Sequence, residues 1–258
     1  MAGGGESARH RELKRLALRW AQLEGWSICA EEVALPQSGF RADVAAYRPA
    51  LERVREPHPI RPGVMRVVSR AAVGLTAIFE CKQARSDFLK DSRDSAKLIA
   101  RLASLAARRA TLERVLRIHH PTLRSGDSLF PEFDTEILET LEHATLHRVL
   151  GQLRTLQAQL YGGVKFEEIV RYRCANACWL VAEPEVFAPG EVPIGWGLLV
   201  RAGEELVVRQ RPTFLDCHER TRLALLQRIA QIATRAANRE HGIDSAALWE
   251  TRRGRRPE

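Results

Sequence analysis

The first sustained pattern along the chain is helical. Leu13, Leu16, Ala17, Trp20 and Leu23 recur every three or four residues, with Ser7 placed to cap the element and Gly25 to stop it. Residues 27–35 and 40–47 are short β-tolerant runs separated by Pro36, Gln37, Ser38 and Gly39, which predicts two strands and a turn. Residues 48–74 are dense in proline and arginine without a sustained period and predict an extended loop. Residues 75–83 then read as a buried strand. From 92 to 161 the period becomes helical again, through Leu98, Leu102 and Leu105 and then through Ile137, Leu141, Val149, Leu153, Leu156 and Leu160. A helical pair is predicted, broken at 119–128 and ended by Gly162 and Gly163. The β pattern resumes at 177–182, and 197–201 with 206–210 flank residues 202–205 as a hairpin. Asp216 with Glu219 resembles a capping box for a last helix, which Leu223, Leu226, Ile229, Ile232 and Ala236 carry to about Asn238.

No repeat of fixed period appears, and the order helix, strands, helices, strands, helix predicts one α/β domain over residues 1–258. Within it, 92–162 form an inserted helical hairpin and 251–258 a flexible basic tail. Composition agrees: of 258 residues 45% are apolar, enough for a real core and against collagen, a coiled-coil rod or wholesale disorder. Charge adds a direction. Lys plus Arg is 40 against 32 for Asp plus Glu, and Lys occurs only at positions 14, 82, 90, 97 and 165. The excess of +8 is therefore carried by arginine, whose planar fork suits phosphate, although an arginine-rich codon usage gives the same count. Cys29, Cys81, Cys174, Cys178 and Cys217 lack paired CxxC spacing, which argues for a reducing cytoplasm over a zinc site. The start of the chain has no apolar signal core, and no run approaches the ~18 residues of a membrane span. A soluble cytoplasmic protein is expected.

Two segments place charge inside apolar strands: Arg41-Ala-Asp43 and Glu80-Cys81-Lys82-Gln83. Strand side chains alternate faces, so Glu80 and Lys82 share one side while Phe79 and Cys81 take the other. If the two strands are neighbours, Asp43 joins them, giving two carboxylates and one amine. Two carboxylates, the backbone carbonyl of Cys81 and waters suit a hard ion such as Mg2+, and Lys82 beside it can orient water or stabilise charge on phosphorus oxygens. The plainer alternative is a strand-end salt bridge of Glu80 with Lys82 or Arg41.

An amphipathic helix, a strand bearing Asp, a strand ending in Glu-x-Lys and a further helix resemble the PD-(D/E)XK nuclease superfamily, with its restriction-endonuclease-like fold. The wording is most similar to MmcB-like DNA repair nucleases: Arg41-Ala-Asp43, Glu80-Cys81-Lys82, then Arg85-Ser-Asp-Phe88 opening the next helix. Residues 192–200 are similar to a terminal strand of such proteins, so that the likeness spans 7–91 and 164–212. It implies a central mixed β-sheet flanked by helices and a metal-dependent DNA nuclease using Mg2+ or Mn2+. Asp43, Glu80 and Cys81 would hold the metal, and Lys82 would act as catalytic base or phosphate stabiliser. An acidic residue from the first helix is also usual in the family; Glu12 is the candidate, with Glu24 and Glu32 as alternatives. The loop at 48–74 and the inserted hairpin depart from the family pattern and bear on what can enter the site.

Arg41, Gln83 and Arg85 are the candidate nucleic-acid contacts, and Arg53, Arg55, Arg61, Arg66, Arg70, Arg171 and Arg173 could extend a phosphate track. Ser86 and Asp87 read as helix caps. His143 and His147 share a helix face but lack the HExxH pattern, so packing is the better reading. No recognition helix or finger signature is present, which predicts weak or structure-directed DNA selection. Two competing readings remain: a catalytically silent DNA-binding or assembly module, and a helical interaction protein. The inserted hairpin offers a surface for a second copy or for another protein.

Overall fold

The computed structural model describes residues 7–61, 63–85, 95–119, 143–161, 165–187 and 191–243. Helix α1 (Ala8–Leu23) begins where the Ser7 hydroxyl accepts the His10 N–H. It ends at Gly25, whose φ of +84° reverses the chain so that the Trp26 N–H returns to the Ala21 carbonyl. Strands β1 (Ile28–Ala34), β2 (Arg41–Pro57) and β3 (Met65–Lys82) follow. Then come helices α2 (Ser95–His119), α3 (Ala144–Tyr161) and α4 (Lys165–Arg171). Strands β4 (Ala177–Ala182), β5 (Trp196–Ala202) and β6 (Glu205–Gln210) and helix α5 (Glu219–Glu240) complete the described chain.

The six strands form one mixed sheet in the order β1-β2-β3-β4-β5-β6. The pairings from β1 to β3 and from β5 to β6 are antiparallel, while β4 is parallel to both β3 and β5. The α/β class is what the alternation of periods predicts, and the mixed sheet is what the family resemblance implies. Every residue of β4 is buried, as expected of a strand covered on both faces. On one face, Leu13, Leu16 and Ala17 of α1 pack over Val44, Phe79, Cys81 and Val181. On the other, Leu225 and Ile229 of α5 and Ile169 of α4 pack over Ala45, Ile78 and Leu180. Helices α2 and α3 pair through Leu102, Val149, Leu153 and Leu156, and Ile194 ties them to the approach of β5. No described helix is long and apolar enough to cross a membrane.

Three features differ from the sequence reading. The extended loop expected at 48–74 is instead the outer length of β2 and β3, paired from Ala50 opposite Ala72 to Pro57 opposite Met65. Backbone hydrogen bonds hold this two-stranded arm, so it needs no buried apolar face, and the cue for a strand is missing. Pro49 occupies the register shift between Arg48 and Ala50, and Gly74 lies so close to the Arg48 carbonyl that a Cβ would overlap it. Helix α5 is capped by His218, whose Nδ1 accepts the Arg220 N–H, and not by Asp216. Helix α4 was not anticipated, though Phe166, Ile169 and Val170 carry its stripe. The predicted start of the second long helix at Ile137 and Leu141, the caps Ser86 and Asp87 and the tail 251–258 lie outside the described residues.

Candidate active site

Strand β2 meets β3 along a ladder that opens at Val44 opposite Phe79. One step beyond, Asp43 and Glu80 face each other across the strand pair. Here the Asp43 carboxylate, not its carbonyl, takes the Cys81 N–H, at 2.6 Å. From α1, His10 brings Nε2 to 3.4 Å from the other Asp43 oxygen. Burial and the neighbouring Glu80 charge push the Asp43 carboxyl above its ordinary range, outweighing the Cys81 N–H and the His10 and Lys165 charges that favour ionisation. Two carboxylates are thus brought together at one sheet end.

Glu80 is 6% exposed and carries two ammonium groups. Lys82 Nζ lies 3.2 Å from Oε1. Lys165 Nζ, at the start of α4, lies 2.7 Å from both carboxylate oxygens and 3.0 Å from the Arg41 carbonyl. These three contacts use all the donors of the Lys165 ammonium. Lys82, by contrast, makes that single hydrogen bond among the described residues, so donors remain for another group. Its Nζ also sits 5.9 Å from the Phe166 ring.

Behind the pair lies a second charged layer. Lys14 is 2% exposed and is ion-paired with Glu32. Glu32 also meets Arg41 at 2.6 Å and is bracketed, together with Asp43, by the pairs Glu31 with Val44 and Val33 with Ala42. Its φ of +57° is a left-handed conformation that costs a residue with a Cβ on the order of 1 kcal/mol. Of the three acidic alternatives, Glu32 is therefore the one placed across from Asp43. Glu12 is not at the site: it pairs with Arg15 at 2.6 Å on the side of α1 toward Glu204 and Arg201, and Arg15 holds its carboxyl below the usual range. Glu24 lies at the far end of α1, where its carbonyl accepts Arg48.

The expected phosphate contacts divide. Arg41 is exposed beside Glu32. Gln83 is tied by its side-chain oxygen to the Ser7 hydroxyl, which fastens the end of β3 to the start of α1. Arg85 is committed elsewhere, forking onto the fully buried Glu191 carboxylate and reaching the Val186 carbonyl at 3.2 Å. That bidentate pair leaves it a structural tie and not a phosphate ligand. Arg173 reaches the Asp216 carbonyl and Arg171 lies over Tyr172. His143 accepts the Leu146 N–H at the head of α3, as a cap would. All five cysteines are free, and the Cys81 thiol is buried against α1 with its pKa pushed well up, by burial first and then by the Asp43 and Glu80 charges, while its N–H meets Asp43.

A metal at this end would draw on Asp43 and Glu80. Among the described residues no group of three or more His, Cys, Asp or Glu side chains converges. Two hard carboxylates that repel each other fit a Mg2+ or Mn2+ ion whose remaining ligands are carbonyl and water. Lys165 presently supplies the counter-charge such an ion would bring. Lys165→Met is therefore expected to tighten Mn2+ binding about tenfold, the loss of one partly buried competing ion pair, measured by calorimetry. Unchanged or weaker binding would show that Lys165 supports the ion and does not compete with it.

No family model and no curated protein match the chain. Among solved structures, a protein of unknown function from Silicibacter pomeroyi is similar at 13% identity, over 90% of this chain and 91% of that one, with a TM-score of 0.44.

Proposed function

We propose that the chain is a metal-dependent nuclease that hydrolyses DNA phosphodiesters in repair or processing. The observation that supports it best is the meeting of Asp43, Glu80 and Lys82 at one sheet end, with Lys82 donors left over. Asp43 and Glu80 are the metal ligands, Mg2+ or Mn2+, with the Cys81 carbonyl beside them. A bound ion supplies Lewis-acid stabilisation of charge on the phosphodiester. Lys82 directs its remaining donors to the phosphoryl oxygens or the attacking water. His10 and the Cys81 N–H orient the Asp43 carboxylate, Lys165 neutralises Glu80 where an ion would otherwise do so, and Lys14 with Glu32 and Arg41 fixes the strand behind them.

The β2–β3 arm gives the reading a binding surface. Glu56 on one of its faces takes up both Arg66 and Arg70. The opposite face presents Arg53 and Arg55, which have no ion-pair partner among the described residues, beside exposed Leu51, Met65 and Val67. A two-stranded ribbon fits a DNA groove, and unpaired arginines release counterions from phosphates. Substituting Ala for both Arg53 and Arg55 is expected to lower the slope of log affinity against log salt by about 2. An unchanged slope in a salt titration of duplex binding would take the arm out of the interface.

The nuclease reading is tested by incubating end-labelled DNA with the protein and Mg2+. Fragments that disappear on chelation support it; intact DNA at protein excess contradicts it. The saturation of Lys165 by Glu80 and the Arg41 carbonyl favours a second reading, a DNA-binding module that no longer cleaves. Binding that survives chelation while no fragment forms would select that reading.

A further inference from the structure

The described parts of the inserted hairpin, residues 95–119 and 143–161, carry Lys97 and seven arginines against Glu113 alone. Glu113 is itself taken by Arg109 at 2.6 Å. The charge is laid out in order. Along α2, Lys97, Arg101, Ser104, Arg108 and Thr111 are all exposed and recur at steps of four and three residues, one stripe about 21 Å long at roughly 1.5 Å per residue. Arg148, Gln152, Thr155 and Gln159 repeat the pattern along α3.

Both stripes lie on one side of the hairpin. Ala106 and Glu113 of α2 and Leu153 and Gln157 of α3 line the cavity that separates the hairpin from Ile194 and Trp196. At about 100° per residue, each stripe falls on the opposite side of its helix from these residues, so both face outward from the sheet. Arg101, Arg108 and Arg148 are exposed there and have no ion-pair partner among the described residues.

The make-up of this surface selects its occupant. Neither stripe holds an acidic residue, so a second copy would set arginine against arginine. The apolar side chains of α2 that a bilayer would need, Leu102 and Leu116, are buried against α3. Helix α2 contains no aromatic residue, so unpaired bases have no platform on which to stack. Arginines at regular spacing, with small hydroxyl and amide side chains between them, suit a regular row of phosphates. Acidic peptide is the competing occupant, because residues 120–142, which join the two helices, carry six acidic side chains against one arginine. Position favours the phosphates. Leu102 clusters with Val149, Leu153 and Leu156, and Leu116 with Leu146 and Leu150, so the helices are antiparallel and their open ends, Ser95 and Tyr161, lie together. Tyr161 is four residues, at most about 14 Å of chain, from Lys165, which holds Glu80. The open end of the hairpin is thus within that reach of the carboxylates.

We propose that the outer face of the α2–α3 hairpin is a docking surface for the phosphate backbone of duplex DNA, leading the duplex to the carboxylate site. The choice of partner rests on the nuclease reading, and the duplex is the form of DNA taken up.

The test is binding of the full chain to a labelled twenty-four-base-pair duplex in EDTA, followed by fluorescence anisotropy over a series of salt concentrations, so that cleavage plays no part. Substituting Ala for Arg101, Arg108 and Arg148 together retains both helices, because Ala is the best helix former. The triple variant is expected to lower the slope of log affinity against log salt by about 3, with affinity at roughly 0.1 M salt falling on the order of a hundredfold. Arg114 and Arg154 are exposed six residues beyond Arg108 and Arg148, about 120° round their helices. Substituting Ala for both is expected to leave the slope within about 0.5 of the parent. The parent is expected to bind the duplex about tenfold tighter than one of its strands or poly-L-glutamate of equal charge. An unchanged slope in the triple variant, a comparable fall in the double variant, or equally tight binding of the single strand or the polypeptide overturns the proposal. A lowered slope in a protein that cuts nothing would leave the docking face standing and remove the nuclease reading. Cleavage by a parent whose triple variant keeps its slope would remove the docking face alone.

Discussion

Lys82→Ala is expected to slow single-turnover DNA cleavage by about a hundredfold to ten-thousandfold, the range for removing a positioned proton-transfer or charge-stabilising group. The same variant should bind Mn2+ no more weakly than the parent, because its ammonium opposes the ion at Glu80. Lys82 is singled out from its neighbour by its unused donors. Lys165 spends its three on Glu80 and the Arg41 carbonyl, whereas Lys82 makes one hydrogen bond among the described residues, at 3.2 Å. A Lys82→Ala protein that cleaves at the parent rate would remove it from the chemistry. Measuring the Lys165→Met rate on the same substrate would then show whether the two lysines have exchanged roles.

Asp43→Asn separates stability from function, because its two consequences run in opposite directions. The Asp43 carboxyl titrates above its ordinary range, through burial and the Glu80 charge. A carboxyl raised in the folded state holds its proton more tightly there than in the unfolded chain. Its favourable contribution is complete below the unfolded pKa and is lost as pH rises through the window up to the folded value. At neutral pH the ionised pair therefore weakens the fold, and Asn, whose amide oxygen can still accept the Cys81 N–H, relieves it. The melting temperature in EDTA at pH 7.5 should rise by on the order of 2 °C, and the gain should vanish in acid. Added Mn2+ should reverse the ranking. An ion at a hundred times its Kd stabilises the parent by about 2.7 kcal/mol and leaves Asp43→Asn nearly unmoved. Equal Mn2+ shifts in both proteins would place the metal elsewhere.

The inner sheet and its helices, α4 apart, were legible because each buries a periodic face. Leu13, Leu16 and Ala17 point to the core at helical spacing, and the run from 177 to 182 is apolar throughout because β4 is covered on both sides. The arm was illegible for the converse reason: its strands satisfy each other's backbone, and Leu51, Met65 and Val67 remain exposed. Asp43, Glu80 and Lys82 were readable as a trio because charge inside an apolar strand is conspicuous. His10, Lys14 and Lys165 were not, since their roles depend on which helix face meets the sheet end. One signal did exist. The chain has Lys at only five positions, and three of them, 14, 82 and 165, meet Glu32 or Glu80. Glu12 was misplaced because it lies two residues from both His10 and Lys14, on the opposite side of the helix from the face they share, which the apolar stripe alone does not reveal. Arg85 was misread because its buried partner, Glu191, is 106 residues away in sequence.

The central claim is that the carboxylates of Asp43 and Glu80 hold a metal for phosphodiester hydrolysis. Its most direct test is cleavage of labelled single-stranded, duplex and branched DNA with Mg2+ or Mn2+, with the parent and Asp43→Asn purified side by side. Metal-dependent cutting by the parent, absent from Asp43→Asn and from chelated samples, is the predicted result. Cutting retained in Asp43→Asn, or no cutting by a folded, DNA-binding parent with either metal, would contradict it.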